Sequence, residues 1–389
     1  MSRKMKAQPI YLDYNATTPI EPRVAEAMQP YLFDFFGNPS SSHPYGSEAR
    51  RSVEHARANV ADMLGCSAEE IVFTGSGSEA NNMALKGVCG ARRAQGNHIV
   101  ISAVEHPAVI EPCRYLERSG FRLTVLPVDR TGRVDPADVE EAMEPGTILV
   151  SVMHANNEVG TVQPIAAIAS IAHRHGALLH TDAAQSIGKI PVHVDDLKVD
   201  LLSVAGHKLY APKGIGALYI RSGVKLEKYL HGASHEANRR AGTENVLEIV
   251  GLGRAAQLVD EELDSIREHL QTLRAYLLAR LAQALEEDGV WRLNGHQKHC
   301  LPNTLSISFR GIEANTLLSG IQSQVAASAG AACHAGSVHV SPVLAAMHVP
   351  LDYAMGTVRL SLGRMTTEAE LDRVVAVMAE AVQALRAGD

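Results

Sequence analysis

The 389-residue sequence predicts an α/β fold, with a mostly parallel seven-stranded sheet in a large domain and a smaller α+β domain after it. Two observations carry this. Over the first two thirds, short and nearly continuous apolar runs alternate with helix-patterned segments, as in a parallel sheet covered on both faces. From about residue 246 that alternation gives way to one long helical stretch and then to separate strands. An apolar content of 46% with 20% charged residues fits a folded globular chain and excludes a disordered or collagen-like one.

Taken in order, strands are expected at 71–73 (IVF), 98–102 (HIVIS), 121–126 (FRLTVL), 147–152 (TILVSV), 177–181 (ALLHT), 201–205 (LLSVA) and 216–220 (GALYI). They are rich in β-branched residues, and helical patterns at 78–95, 107–118, 136–143 and 164–175 lie between several of them. Asp135 before Pro136 marks a helix start, with a side-chain oxygen for the free N–H groups and a ring already set at helical φ. Residues 246–286 put charges on one face and Leu and Ala on another, with Gly251 and Gly253 as points where the helix bends or starts again. Strands at 304–309 and 357–362 precede a last helix after Thr367, and Thr367 with Glu370 has the spacing of a capping box. We therefore divide the chain into a large domain, 16–261, and a small domain made of 1–15 and 262–389.

The net charge of −7 argues against a broad nucleic-acid footprint. No apolar run reaches the roughly 18 residues of a membrane span, and the basic start lacks the apolar stretch of a secretory signal. Cys66, Cys89, Cys113, Cys300 and Cys333 form an odd set without CxxC spacing, which points to reduced thiols in a cytoplasmic compartment. With no HExxH and no CxxC, no intrinsic metal is expected, and His173 and His175 read as a solvated helix end.

Chemistry enters with FTGSGSEANN (73–82), a glycine turn between a strand and a helix, whose backbone N–H groups form an anion site. Gly75, Gly77 and Ala80 also satisfy G-x-G-x-x-A, and Glu105 follows the next strand, so an NAD-dependent oxidoreductase is a rival reading. Glu105 stands well beyond the roughly 20-residue spacing of that fingerprint. Further on, Asp182 and Gln185 follow one strand and His207 and Lys208 another, at the carboxyl ends where α/β sites collect. A phosphate cradle, an acid and a lysine are what pyridoxal 5'-phosphate requires for its phosphate, its ring nitrogen and its aldehyde. A carboxylate about 3 Å from a pyridinium gains roughly 5 kcal/mol at an effective dielectric near 20, before desolvation.

Ten ordered motifs extend this nearly end to end: YLDYNATTP (11–19), GNPSSSH (37–43), FTGSGSEANN (73–82), EHPAV (105–109), HANNEVG (154–160), HTDAAQSIGK (180–189), GHKLYAPKGIGALY (206–219), RRAGTENV (239–246), ASAGAACHAG (327–336) and VRLSLGR (358–364). With them the chain resembles the NifS/IscS-like cysteine desulfurases and the related selenocysteine lyases, class-V aminotransferase-like enzymes of the fold-type I pyridoxal-phosphate group. The resemblance implies that Lys208 bonds the cofactor's aldehyde, Asp182 partners its ring nitrogen and Gln185 donates to its phenolate oxygen. It implies that His106 stacks on the ring, and that Gly77, Ser78 and His207 hold the phosphate. Thr243 would reach the phosphate of the other subunit in a homodimer, and Arg239 and Arg240 are candidates for the subunit contact. Asn157 and Arg359 would bind the substrate's α-carboxylate, a task suited to the planar fork of arginine. Cys333 would attack the sulfur of L-cysteine, take it as a persulfide, release L-alanine and pass the sulfur to acceptor proteins for iron–sulfur or thio-cofactor assembly. His106 or His334 could assist its deprotonation, though His334 reads better as an exposed loop residue, and His231 and His235 as loop residues near the site. One departure stands out: many desulfurases have Ser where this chain has Ala205, which removes a phosphate donor. AACHAG and PNTLSISF also resemble the selenocysteine lyase branch, which makes release of selenium from L-selenocysteine the near alternative. A scaffold that keeps the fold without catalysis is a further one.

Overall fold

The computed structural model describes residues 8–285, 289–334 and 337–387, leaving aside the side chains of 331–339. The seven strands form one sheet, in the order Ile71–Thr74, Gly216–Ile220, Leu201–Ala205, Leu178–Asp182, Thr147–Ser151, His98–Ser102, Arg122–Leu126. Gly216–Ile220 runs antiparallel to both of its neighbours and the other pairings are parallel. Six of these strands are buried along their whole length, which is why they read as unbroken apolar runs. The exception, Arg122–Leu126, is an edge strand whose exposed residues are Arg122 and Val125.

Helices cover both faces. Pro44–Leu64, Ile165–Arg174 and the first part of Val246–Ala284 build one hydrophobic core with the sheet, while Gly77–Arg92 and Pro107–Arg118 build another on the opposite side. At the Ile71–Thr74 edge, the N–H of Phe73 donates to the buried carboxylate of Glu236 at 2.9 Å. Arg57 grips the same carboxylate with two bonds of 2.7 and 3.0 Å. Glu236, Ala237 and Asn238 all have left-handed φ (47°, 50° and 67°), a strained turn that the buried ion pair helps to hold.

The expectation of a restart near residue 251 is not met. Val246–Ala284 is one helix of 39 residues. Gly251 and Gly253 serve close approach instead. A Cβ at 253 would sit 2.5 Å from the Cα of Ala56, and one at 251 would sit 2.7 Å from the sulfur of Met28. A helix pays attention to its partners here more than to propensity, because a missing side chain lets two helices touch. Ile249 to Val259 enter the first core, whereas Ile266, Leu270, Leu273, Leu277 and Leu281, at three- and four-residue spacing, enter a separate one.

That separate core lies under an antiparallel sheet of Ser328–Ala329, Thr357–Ser361, Thr304–Phe309 and Trp291–Asn294. Leu305, Ile307, Phe309, Val358 and Leu360 fill it with the last helix, Glu368–Ala387. Thr367 caps that helix as its spacing predicts: its hydroxyl accepts from the N–H of Glu370, whose carboxylate accepts from the N–H of Thr367 at 2.9 Å. Near the N-terminus, Ile10–Tyr11 pairs with Val325–Ala326 and so joins this half of the molecule. The backbone of Cys333 lies in Ala331–His334, paired with Ser337–Val340, and the side chains of Cys333 and His334 fall outside the described residues. Among the described residues no helix is long and apolar enough to cross a membrane.

Candidate active site

A cavity of about 420 Å³ opens at the carboxyl ends of the central strands. Asp182 closes the Leu178–Asp182 strand, and Ala205 closes its neighbour Leu201–Ala205, so parallel register brings their loops to one edge. The turn Gly206–Lys208 then places His207 and Lys208 on the cavity wall. Gly77, Ser78, His106, Asn157, Gln185 and Arg359 line it too, so nine of the residues singled out from sequence meet at one place.

Lys208 donates from Nζ to the main-chain oxygens of Asn15 and Ala16, at 2.5 and 2.7 Å. Burial, with the Arg359 cation nearby, lowers its pKa to about 8, against the pull of Asp182 and Asp13. A neutral amine is therefore available near neutral pH. The Asp182 carboxylate accepts from the N–H of Ala184 at 2.9 Å and from Nδ2 of Asn81 at 2.7 Å, which fixes its direction.

Ser76 caps the helix Gly77–Arg92 by accepting from the N–H of Glu79. That leaves the first-turn N–H groups of Gly77 and Ser78 at the positive end of the helix, facing the cavity. A Cβ on residue 77 would lie 2.9 Å from the Cβ of Ala205, so only glycine lets this helix end seat against the strand end. Nδ1 of His207 pairs with the hydroxyl of Thr17 at 3.2 Å, and burial beside the Lys208 and Lys213 cations lowers its pKa to about 4. The methyl of Ala205 lines the wall without offering a donor.

His106 caps the helix Pro107–Arg118. Its Nδ1 accepts from the N–H of Ala108 at 3.1 Å, so the ring proton sits on Nε2. Desolvation, opposed by the Asp182 carboxylate and aided by the Lys208 ammonium, holds its pKa below the ordinary value. Across the cavity, Arg359 donates to Asp13 at 2.7 Å, to the carbonyl of Asn157 at 3.0 Å and to Ser328 at 3.1 Å. Its Nε is buried and unpartnered.

Two predicted residues do not join this set. Thr243 is solvent-exposed and lines a separate cleft with Gly75 and Arg240. Cys333 lies outside the described side chains. Glu105, the acidic residue of the nicotinamide reading, points into the protein: it accepts from Ser102 and from the N–H of Met153, and burial raises its pKa to about 8. His173 and His175 pair with two different carboxylates, Asp200 and Glu140. Burial pushes the thiols of Cys66 and Cys89 up to about 12, and that of Cys113 well up too, which makes them inert. Sequence reasoning missed Asp13, Asn15 and Asn81. They act through contacts far along the chain that no local pattern reports.

The residues present fit pyridoxal phosphate. A helix end opened by Gly77 and Ser78 lines the cavity for a phosphate, a directed carboxylate lines it for a protonated ring nitrogen, and a lysine with a lowered pKa stands on the same cavity.

The aminotransferase class-V family model matches residues 10–374. The cysteine desulfurase IscS of Dictyoglomus turgidum is 47% identical over 378 residues, covering 97% of this chain and 95% of its own. That of Methanosarcina thermophila is 45% identical, with 97% and 93% covered. Among solved structures, a NifS-like protein superposes with a TM-score of 0.89 at 38% identity, covering 96% of this chain and 99% of its own. SspA in complex with cysteine superposes with a TM-score of 0.80 at 36% identity, covering 92% and 100%.

Proposed function

The chain belongs to the aminotransferase class-V family, and on that premise we propose that it is a pyridoxal-phosphate-dependent cysteine desulfurase. It converts L-cysteine to L-alanine and passes the sulfur, through Cys333, to acceptor proteins of iron–sulfur or thio-cofactor assembly. The observation that carries this is the meeting of Lys208, Asp182, the Gly77–Ser78 helix end and Arg359 on one cavity.

Bound there, the cofactor supplies an electron sink for the pair left when a proton leaves the substrate's Cα. The chain's own groups do the rest. Asp182, held by Asn81 and Ala184, would hold a protonated ring nitrogen, and Gln185, on the same cavity, would donate to the ring oxygen. Arg359 and Asn157 line the same cavity and would hold the substrate carboxylate. Lys208, with its lowered pKa, would hold the cofactor through its aldehyde and, when freed by the substrate amine, would be placed to accept the Cα proton. His106 stands over the same space with a proton on Nε2. The Cys333 thiolate then attacks the substrate sulfur. The sulfur–sulfur bond would form as the carbon–sulfur bond breaks, its electron pair passing to the substrate's Cβ, which takes up a proton; alanine would leave as Lys208 retakes the cofactor's aldehyde.

The working unit in this reading is a homodimer in which Thr243 reaches the other subunit's phosphate. Leu32, Phe33, Phe36 and Tyr45 support it, since they are 57%, 73% to 77% and 60% exposed on one short stretch, more apolar surface than a lone subunit leaves uncovered. The division at 261/262 is supported by the two separate cores along the long helix. A cytoplasmic setting is supported by the free thiols of Cys66, Cys89, Cys113 and Cys300. Borohydride reduction of the purified protein followed by peptide mass spectrometry tests the assignment: we expect the reduced cofactor on Lys208, and an unmodified Lys208 would overturn it.

A further inference from the structure

Lys189 has no part in the chemistry above, yet it is buried directly behind the site, with 6% of its surface exposed. Among the described residues it has no carboxylate partner within ion-pair distance. Its Nζ donates instead to the main-chain oxygen of Gln185 at 2.9 Å and to the side-chain Oε1 of Gln185 at 3.3 Å. At the other end of that amide, Nε2 donates to the main-chain oxygen of Asn15 at 3.0 Å, the same oxygen that accepts from Lys208.

These contacts fix which way the amide points. The main-chain carbonyl of Asn15 can only accept, which requires a donor at that end of the amide, and Lys189 in its protonated form can only donate at the other end, so both contacts favour the same flipped orientation. In that orientation Oε1 faces Lys189, Nε2 faces Asn15, and the second N–H of Nε2 remains for the cavity that Gln185 lines. The charged groups that act on Lys189 are Lys208 and Arg359, both cations, and His207 feels it in turn. Burial with no counter-ion brings its own pKa down to about 7. A buried lysine without a counter-ion costs folding free energy.

We propose that Lys189 is a positioning residue that locks the Gln185 amide with an N–H donor turned toward the ring oxygen of the cofactor. The proposal rests on the pyridoxal-phosphate reading and deepens it. A donor at that oxygen, backed by a cation, stabilises negative charge there. The bound cofactor then gives up the proton beside its ring oxygen more readily, and its visible absorbance titrates at lower pH.

The test is a pH titration of the visible absorbance of the holoenzyme, for the wild type, Lys189→Met and Lys189→Arg. Lys189→Met is expected to move the midpoint upward by about one pH unit, while Lys189→Arg, which keeps a donor and a charge, stays close to the wild type. Lys189→Gln removes the cation behind the amide and leaves only the main-chain oxygen of Asn15 to demand a donor at Nε2. It is expected to shift the midpoint in the same direction, and it serves if the methionine variant does not fold. An unchanged midpoint in the Met or Gln holoenzyme overturns the proposal, because a purely structural lysine would alter stability and cofactor content but not the titration. A wild-type protein without a visible band that depends on Lys208 would instead overturn the reading on which the proposal stands.

Discussion

The two walls of the cavity are built in different ways. On the wall of the large sheet, Asp182, Ala205, His207 and Lys208 follow directly from two adjacent parallel strands, and Gly77 opens the helix that leans on them. On the facing wall, Arg359 is set by Asp13 from the N-terminal segment, Ser328 from a short strand and the carbonyl of Asn157 from a loop. The first wall is fixed by strand register, so its parts stand or fall with the sheet. The second depends on three distant stretches closing on one guanidinium, and each can be altered without disturbing the sheet. Cofactor binding and substrate binding should therefore separate under mutation.

The largest effect belongs to the first wall. Lys208→Ala should reduce alanine formation from L-cysteine by about 10⁴-fold or more, read from product formation by the purified enzyme. Cys333→Ala should abolish persulfide formation from L-cysteine. If it retains release of selenium from L-selenocysteine, the two substrates differ in their need for the thiol.

Arg359→Ala tests the second wall. We expect kcat/KM to fall roughly 10²- to 10³-fold with cofactor content unchanged, as when one partner of a buried charge-assisted contact is removed. Asp13→Asn should act in the same direction by about tenfold, mainly in KM, because it loosens Arg359 without removing it. Loss of cofactor in either variant would break the separation of the two walls.

Beneath the first wall, burial holds His154 and His180 at pKa values of about 4. Nδ1 of His180 pairs with Ser151 and Nε2 with Ser203, across adjacent strands. Both rings take up protons more readily when unfolded, so the stability they contribute is complete above about pH 6.5 and is lost as pH falls toward 4. Urea midpoints measured at pH 7 and pH 5 should show a loss of a few kcal/mol, and His180→Asn should reduce it. The smallest effect is a gain: Ala205→Ser restores a hydroxyl near the helix end and should tighten cofactor binding about tenfold, measured by reconstitution of the stripped protein.

The first wall was largely legible in the sequence because its residues sit where apolar runs stop. Asp182 and Lys208 mark the ends of strands, and a period-free apolar run ending in polar residues is a local signal. The second wall was not. Arg359 was named through a resemblance, but nothing local ties it to Asp13 at the other end of the chain. Gly251 and Gly253 misled for a related reason. Glycine weakens an isolated helix, and only the positions of Ala56 and Met28 show that these two make room for a neighbour. Lys189 follows Gln185 by one helical turn's spacing, yet a lysine after a glycine reads as a solvated loop residue until its burial is seen.

The Glu236 carboxylate that occupies the N–H of Phe73 has a consequence for solubility. An uncovered outer strand offers its free amides to any other chain in extended form and so seeds fibrous association. Here one rim of the sheet is blunted by an acid already bonded to Arg57, and the opposite rim carries the charge of Arg122. With the Phe73 amide already engaged, the first rim resists edge-to-edge pairing, and Glu236→Ala should show as light scattering on concentration before it shows as lost activity.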